Sequence, residues 1–560
     1  MSFDFLTRSW RPYLLLILLC CTFYIPGLTR LPPTDRDEAR FAQASRQMLE
    51  SGNYIDIRFQ NVPRYKKPIG IYWLQAGSAA ATVGADKRTI WPYRIPSALG
   101  ALLAVLLTFE FGKRLFDRRT ALLGSALLAS SVLLNVEAHI ATTDAVLLAS
   151  IVAMQGFLAR LYLDQRQGRV SGKWTSIGFW VACGLGTLVK GPVPPAVALL
   201  TLLTLSAVDR RLAIWKTLKA KRGLLIYVAI VLPWFIAISI ASHGTFVQTA
   251  VGSDLLPKLM GGQEAHGAPP GYYALLFSVL FWPASVFAVW AIWPSWKERT
   301  ETAVRFCLAW IVPNWLLFEL VPTKLPHYVL PTFPAIALLT ARFLLGGPEG
   351  ARYLETRFGK VVRWVPLALW GIVGAALAVG LVGLPLYLNH RLFATSLVAL
   401  AGAATVLAGV HFAWQKGRTT RAAVVAIAGA LLMLAPAFGT ILPGLDGPWI
   451  SRTAAKLVQK YSPRSEPVVA SVGYDEPSLV FLLGTGTRLV GAAEAVQSLQ
   501  DHPDGYALVA DNEKKTDNTR KFMKAAEEAN LKLFALDTFR GYNYSKGKWL
   551  NLTLYAAKPH

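Results

Sequence analysis

The chain has 560 residues, 54% hydrophobic and only 16% charged, with a formal net charge of +24 and a mean hydropathy of +0.39. Soluble globular proteins carry about 25% charged residues, so this composition excludes a soluble enzyme and predicts a polytopic membrane protein with room for an extra soluble domain. The cations lie between apolar stretches, a placement that argues against nucleic acid and fits loops resting on anionic lipid headgroups.

In chain order, Arg8 and Arg11 precede an apolar run, and residues 26–33, PGLTRLPP, offer no small-residue cleavage site, so this start reads as an uncleaved signal anchor. A bilayer span takes about 20 apolar residues. Stretches near 12–30, 92–112, 120–135, 141–163, 175–189, 192–208, 223–241, 272–293, 304–321, 327–346, 363–386, 392–414 and 422–443 meet that need, roughly thirteen spans. Alternate loops, such as GKRLFDRR at 112–119 and QKGRTTR at 415–421, are rich in Lys and Arg. The positive-inside rule puts these loops in the cytoplasm, with the N-terminus. The loops at 32–90, 136–140, 189–192, 242–271 and 322–327 then lie outside. Cys20, Cys21, Cys183 and Cys307 fall in apolar stretches without metal-ligand spacing and read as small hydrophobes.

The first outer loop carries the densest polar cluster: PPTDRDEAR at 32–40 and NVPRYKKPIGIYW at 61–73. Charge beside a bilayer is costly, so such a cluster reads as a functional site. Asp35, Asp37 and Glu38 can bind a cation or a proton; Arg58, Arg64, Lys66 and Lys67 can bind phosphate. A helix is predicted from Asp37, with Phe41, Met48 and Leu49 laid on the membrane surface. N-capping by Asp35 or Asp37 is the plainer reading, but three carboxylates and two arginines in six residues exceed what a cap needs. Lys67 precedes Pro68, which favours extended backbone there, and Tyr72 and Trp73 suit an interface. Lys67 with Arg58 or Lys66 forms a candidate phosphate clamp; a basic loop held on headgroups is the alternative.

Further along, Asp144 stands at the mouth of a span with His139 and Thr143 nearby, and Lys190 ends another. Ionisable groups at this depth face the protein interior, either as a structural pair or as substrate contacts. In the loop at 242–271, Glu264 and His266 suit a metal only with ligands from other segments. Lys324, His327 and Tyr328 sit in VPTKLPHYVLPTFP at 321–334, where prolines restrain the backbone that presents them.

From about residue 445 the composition changes. EPVVASVGY, SLVFLLG, TRLVG, YALVADN, LKLFALDTF and LNLTLYAA read as strands, and residues 516–530 as an amphipathic helix. Together these make a small soluble α/β domain. Gly484-Thr485-Gly486 is too little for a nucleotide fingerprint.

Taken together, DRDEARFAQASRQML, RYKKPIGIYW, RIPSAL, ATTDA, LVKGP and PTKLPHYVLP resemble the polytopic GT-C glycosyltransferases that use polyprenyl-phosphate sugars. The likeness is to the aminoarabinose transferases that modify lipid A, which are related to protein O-mannosyltransferases. It implies a transmembrane GT-C domain over residues 1–444, of about thirteen α-helices, and a periplasmic α/β domain over 445–560. It also implies that an essential Asp falls on Asp37 with Glu38 beside it, and that a Lys-Pro motif for the carrier phosphate falls on Lys67-Pro68. Cavity positions fall on Asp144, Lys190 and the Lys324–Tyr328 stretch. Some members carry an acidic residue before that lysine; here it is Lys66, so a metal role does not transfer to it.

The expected reaction moves 4-amino-4-deoxy-L-arabinose from undecaprenyl phosphate to a lipid A phosphate at the periplasmic face of the bacterial inner membrane. Asp37, Glu38 and Asp144 are the catalytic candidates. Arg58, Lys66, Lys67, Lys190 and Tyr72 are the candidates for the carrier phosphate. His139, Lys324, His327, Tyr328 and Trp73 line the expected substrate cavity. The need for a cofactor stays open, the candidate being a divalent cation, Zn²⁺ or Mg²⁺, with Glu264 and His266 as candidate metal ligands. Membrane lipids are further partners. A protein O-mannosyltransferase-like enzyme and a lipid-phosphate transporter are the rival readings; a transporter would spread polar groups along both sides of its path, whereas here they gather on one.

Overall fold

The computed structural model describes residues 7–84, 88–255, 268–347, 351–462, 466–512 and 517–559. Among the described residues eight helices are long and apolar enough to cross a bilayer, and nine if the bent pair Arg118–Ala129 and Val132–His139 counts as one span. The expected thirteen is not reached on this measure. Arg11–Tyr24 and Val193–Asp209 are shorter, and the 272–293 stretch is two helices, Tyr272–Leu280 and Ser285–Lys297. An apolar run counts residues without regard to where the helix breaks, and Pro283 sits in this break.

The helices Trp91–Leu115 and Asp144–Arg166 pack at very short range, because a Cβ on Gly100 would stand 2.8 Å from the Val146 amide nitrogen. Small residues let membrane helices approach in this way. The contact fixes the first turn of the second helix, which begins with Asp144.

The predicted helix after Asp35 runs Asp37–Ser51 and stops at Gly52, whose φ of 68° suits a left-handed C-cap. No side chain caps its start at Arg36, so the capping reading fails. Its apolar face also departs from expectation. Phe41 and Met48 pack with Ile57, Tyr65, Ile71, Tyr72, Trp234 and Ile238, and Leu49 packs beside Tyr93 and Phe481. The face is covered by protein instead of lipid, since the spanning helix Ala220–Ala241 and the C-terminal segment close over it. A short hairpin, β1 (Arg58–Phe59) and β2 (Val62–Pro63), leads to the helix Gly70–Thr82.

After the helix Ile450–Tyr461 the chain forms a five-stranded sheet of β3 (Val469–Val472), β4 (Arg488–Leu489), β5 (Tyr506–Asn512), β6 (Phe534–Asn543) and β7 (Lys548–Ala556). The order is β4-β3-β5-β7-β6. β3 runs parallel to β4 and β5, and β7 antiparallel to β5 and β6. β3 and β5 are buried on both faces: Val469 and Leu508 face one core with Val458 and Leu554, while Ala470 and Val509 face another with Leu499 and Phe522. That is why both read as unbroken apolar runs. SLVFLLG, expected as a strand, is the helix Pro477–Leu483. A short apolar run is ambiguous by period alone; here Pro477 at the first turn and Gly484 just past the end select helix.

This sheet unit docks on the first loop. The Asp35 amide donates to Tyr544 Oη at 2.7 Å, Arg36 donates to the Ser545 carbonyl at 2.5 Å, and Ser478 Oγ donates to the Asp35 carboxylate. Gln43 Nε2 meets Thr485 Oγ1 at 2.7 Å, and Arg88 meets Glu466 at 2.6 Å.

Candidate active site

A cavity of about 300 Å³ opens where five segments meet: residues 34–41, 64–67, 137–144, Lys190 and 323–328. Its walls hold charges of both signs. Arg64, Lys66 and Lys67 come from the turn before Pro68; Asp37 comes from the first residue of its helix. Asp144 begins the membrane helix Asp144–Arg166, and Lys190 ends the helix Lys173–Lys190.

Asp144 and Lys190 form a buried ion pair at 2.5 Å, and Thr143 Oγ1 donates to the other carboxylate oxygen at 3.1 Å. Burying two charges is repaid only by close geometry and extra hydrogen bonds, and both are present. His327 lies between two carboxylates, with Nδ1 3.7 Å from Glu137 and Nε2 3.8 Å from Asp144. The Lys190 ammonium also stands 5.3 Å over the Tyr328 ring. Arg64 is buried, with its guanidinium 5.1 Å over the Phe41 ring and 3.7 Å from Asp37. Its Nε is buried with no hydrogen-bond partner among the described residues. Asp37 is 62% exposed at its side chain and free to turn toward a ligand.

The structure therefore gathers Asp37, Glu38, Lys66, Lys67, Asp144, Lys190, His327 and Tyr328 around one cavity. Glu38, however, is a brace. Its carboxylate accepts from Arg94 at 2.7 and 3.0 Å, from the Thr34 amide and hydroxyl at 2.7 and 2.9 Å, and from the Ala141 amide at 2.9 Å. Five donors leave it no lone pair for catalysis, but they lock the loop to the membrane helix Trp91–Leu115 and to the bend at Ala141.

The other expected members stand elsewhere. Arg58 pairs with Asp56 at 2.7 Å outside the cavity. Tyr72 is fully buried against Phe41, ring centroids 5.4 Å apart. Trp73 points outward and donates to the Tyr54 carbonyl at 2.8 Å. His139 is stacked on Phe438 at 4.1 Å, its ring nitrogens 2.7 and 2.8 Å from the Asn135 and Pro26 carbonyls. Lys324 donates to the carbonyls of Glu319 and Val321 at 2.7 and 2.8 Å. It satisfies the end of the helix Thr302–Leu320, where the last carbonyls lack intrahelical partners. Glu264 and His266 lie outside the described residues. Among the described residues no group of three or more His, Cys, Asp or Glu side chains stands close enough to hold a metal ion.

One cavity residue escaped the sequence reading. Glu137 is 3% exposed and accepts from Thr142 Oγ1 at 2.9 Å. A lone acid inside the apolar stretch VLLNVEAH, seven residues before Asp144, was signal enough under the rule that ionisable groups at membrane depth mark sites.

This architecture is shared with solved structures. The fold matches ArnT from Cupriavidus metallidurans bound to undecaprenyl phosphate with a TM-score of 0.71 at 18% identity, over 98% of this chain and 99% of that one. It matches the archaeal oligosaccharyltransferase AglB from Archaeoglobus fulgidus with a TM-score of 0.51 at 12% identity, over 98% of this chain and 74% of that one. Residues 66–236 match the family model described as dolichyl-phosphate-mannose-protein mannosyltransferase. The chain has the polytopic membrane fold of the GT-C glycosyltransferases. Within that class it resembles the undecaprenyl phosphate-alpha-4-amino-4-deoxy-L-arabinose arabinosyl transferases. The relative from Pseudomonas paraeruginosa is 29% identical over 436 residues, 77% of this chain and 76% of its own length.

Proposed function

We propose that this chain transfers 4-amino-4-deoxy-L-arabinose from undecaprenyl phosphate to a phosphate of lipid A. The observation that carries the reading is the cavity: Arg64, Lys66 and Lys67 beside Asp37 and Asp144, in a fold whose relatives bear that activity in their names. In the proposed step an acceptor phosphate oxygen bonds to the anomeric carbon as the bond from that carbon to the carrier phosphate breaks, with inversion in a single displacement. Negative charge grows on the departing phosphate oxygens. Arg64 and Lys67 meet it, and electrostatic stabilisation of developing charge is usually the largest catalytic contribution. A phosphate monoester has a second pKa of about 6, so the acceptor is already anionic at neutral pH and needs no general base. Asp37 then orients the sugar and stabilises positive charge at its anomeric carbon. The reading includes no cofactor.

In this reading residues 1–444 form the catalytic membrane domain of an inner-membrane protein and residues 445–560 a periplasmic domain. The cavity faces the periplasm and the N-terminus lies in the cytoplasm, in keeping with the cationic loops between spans. Adding an aminosugar to lipid A phosphate offsets negative surface charge, which fits resistance to polymyxin and other cationic peptides. The test is transfer by purified enzyme in liposomes, using the undecaprenyl-phosphate aminosugar with lipid A or with a Ser/Thr peptide as acceptor. Mass spectrometry is expected to find the sugar on lipid A. Sugar on the peptide alone overturns the assignment and favours protein O-glycosylation, the activity named by the matching family model.

A further inference from the structure

Glu38 and Asp144, two of the buried carboxylates at the cavity, each have their own cation, and Glu137 does not. Glu38 holds Arg94 and Asp144 holds Lys190. Glu137 has neither an arginine nor a lysine within 4 Å among the described residues: its hydrogen bond comes from the neutral Thr142 hydroxyl, and the nearest basic atom is His327 Nδ1 at 3.7 Å, beyond hydrogen-bond range. A carboxylate removed from water and left with one neutral donor is a costly arrangement. It becomes favourable when a guest supplies the missing cation.

Resting on the aminosugar reading above, we propose that Glu137 is a specificity-determining residue that receives the ammonium group of the donor sugar. Three observations support it. The residue lines the same cavity as Arg64 and Lys67, so a head group with phosphate at one end and an amine at the other meets opposite charges in one space. Its Oε1 is unshared at hydrogen-bond range while Oε2 is tethered by Thr142, which fixes the carboxylate plane and leaves one oxygen for a guest. The neighbouring carboxylate of Asp144 is held by Lys190, and among the described residues no cluster of acids is placed to take a metal ion there. An ammonium–carboxylate contact in a dry site is charge-assisted and stronger than its neutral counterpart.

The experiment compares kcat/KM for two donors, undecaprenyl-phosphate 4-amino-4-deoxy-L-arabinose and undecaprenyl-phosphate L-arabinose, in wild-type enzyme and Glu137→Gln. Gln keeps the shape and removes the charge. The ratio of the two donors is expected to fall on the order of 10²-fold in the variant, as when a site built to bind one group loses it. Glu137→Asp, which retains the charge, is expected to restore part of the ratio. An unchanged ratio, whether both activities drop together or neither moves, overturns the inference and leaves the function standing. If the wild-type enzyme transfers neither sugar, the function and the inference fall together.

Discussion

Lys190 Nζ stands 2.5 Å from Asp144 Oδ1, joining the last residue of the helix Lys173–Lys190 to the first residue of the membrane helix Asp144–Arg166. The pair has two duties, to hold the helices together and to place a carboxylate at the cavity wall. Removing one partner of a buried pair leaves an uncompensated charge and costs about 3–5 kcal/mol. Lys190→Met is therefore expected to lower the thermal midpoint in detergent. The double variant Lys190→Met with Asp144→Asn should regain most of that stability without regaining transfer. Recovery of activity in the double variant would mean that the pair is only structural.

Asp37 presents the opposite case. It is exposed, and its ion pair with Arg64 is long at 3.7 Å. Such pairs are worth about 0–1 kcal/mol. Asp37→Asn is expected to leave the melting curve almost unchanged while sugar transfer falls by about 10²-fold or more, the scale of losing one well-placed electrostatic group. Turnover near the wild-type rate would remove Asp37 from the mechanism.

Arg64 lines the cavity, and its buried Nε has no hydrogen-bond partner among the described residues. A hydrogen bond to a charged group contributes about 1.5–3 kcal/mol. Arg64→Lys keeps the charge but loses the planar fork, so the donor KM is expected to rise about tenfold or more, with a parallel loss in binding of undecaprenyl phosphate measured by calorimetry. Lys67→Ala should weaken the same binding. Arg58→Ala, altering a residue outside the cavity, should not.

Docking of the C-terminal sheet is expected to depend on pH through Asp35. Burial, with Glu476 nearby, pushes its carboxyl up from 3.8 to about 7, against the pull of hydrogen bonds from Ser478 and Tyr544. A pKa raised on folding means that the folded state binds more protons than the unfolded state between these values, so stability falls as pH rises through that window and levels off above it. Melting temperatures from pH 4.5 to 8 should show this decline in the wild type. Asp35→Asn, neutral throughout, should flatten it. An identical slope in both proteins would place the titrating group elsewhere.

The cavity was legible in part. Lys67 before Pro68, Asp144 at a helix start and Lys190 at a helix end were marked by charge at membrane depth, which few positions tolerate without a purpose. The same rule failed at Lys324 and His139, because a lysine or histidine also satisfies orphaned backbone carbonyls, and nothing local says which carbonyls are near. Glu38 and Arg58 misled in a similar way. Each has a cavity-like sequence context, yet Arg94, 56 residues from Glu38, takes one, and Asp56 takes the other. In the sheet unit, residues 478–484 were misread because a run of five apolar residues carries no decisive period.

The order of residues alone determined that this chain lives in a membrane, since apolar length and the spacing of cations respond directly to bilayer thickness and headgroup charge. It also determined which loop carries the polar cluster and that a sheet-forming segment follows residue 445. Only the tertiary structure decided which charges look into the cavity and which are consumed as braces. Side-chain direction and partner identity depend on contacts hundreds of residues apart, as when Ser478 and Tyr544 reach Asp35. Solvent sets the first kind of information residue by residue; packing sets the second only when the whole chain is in place.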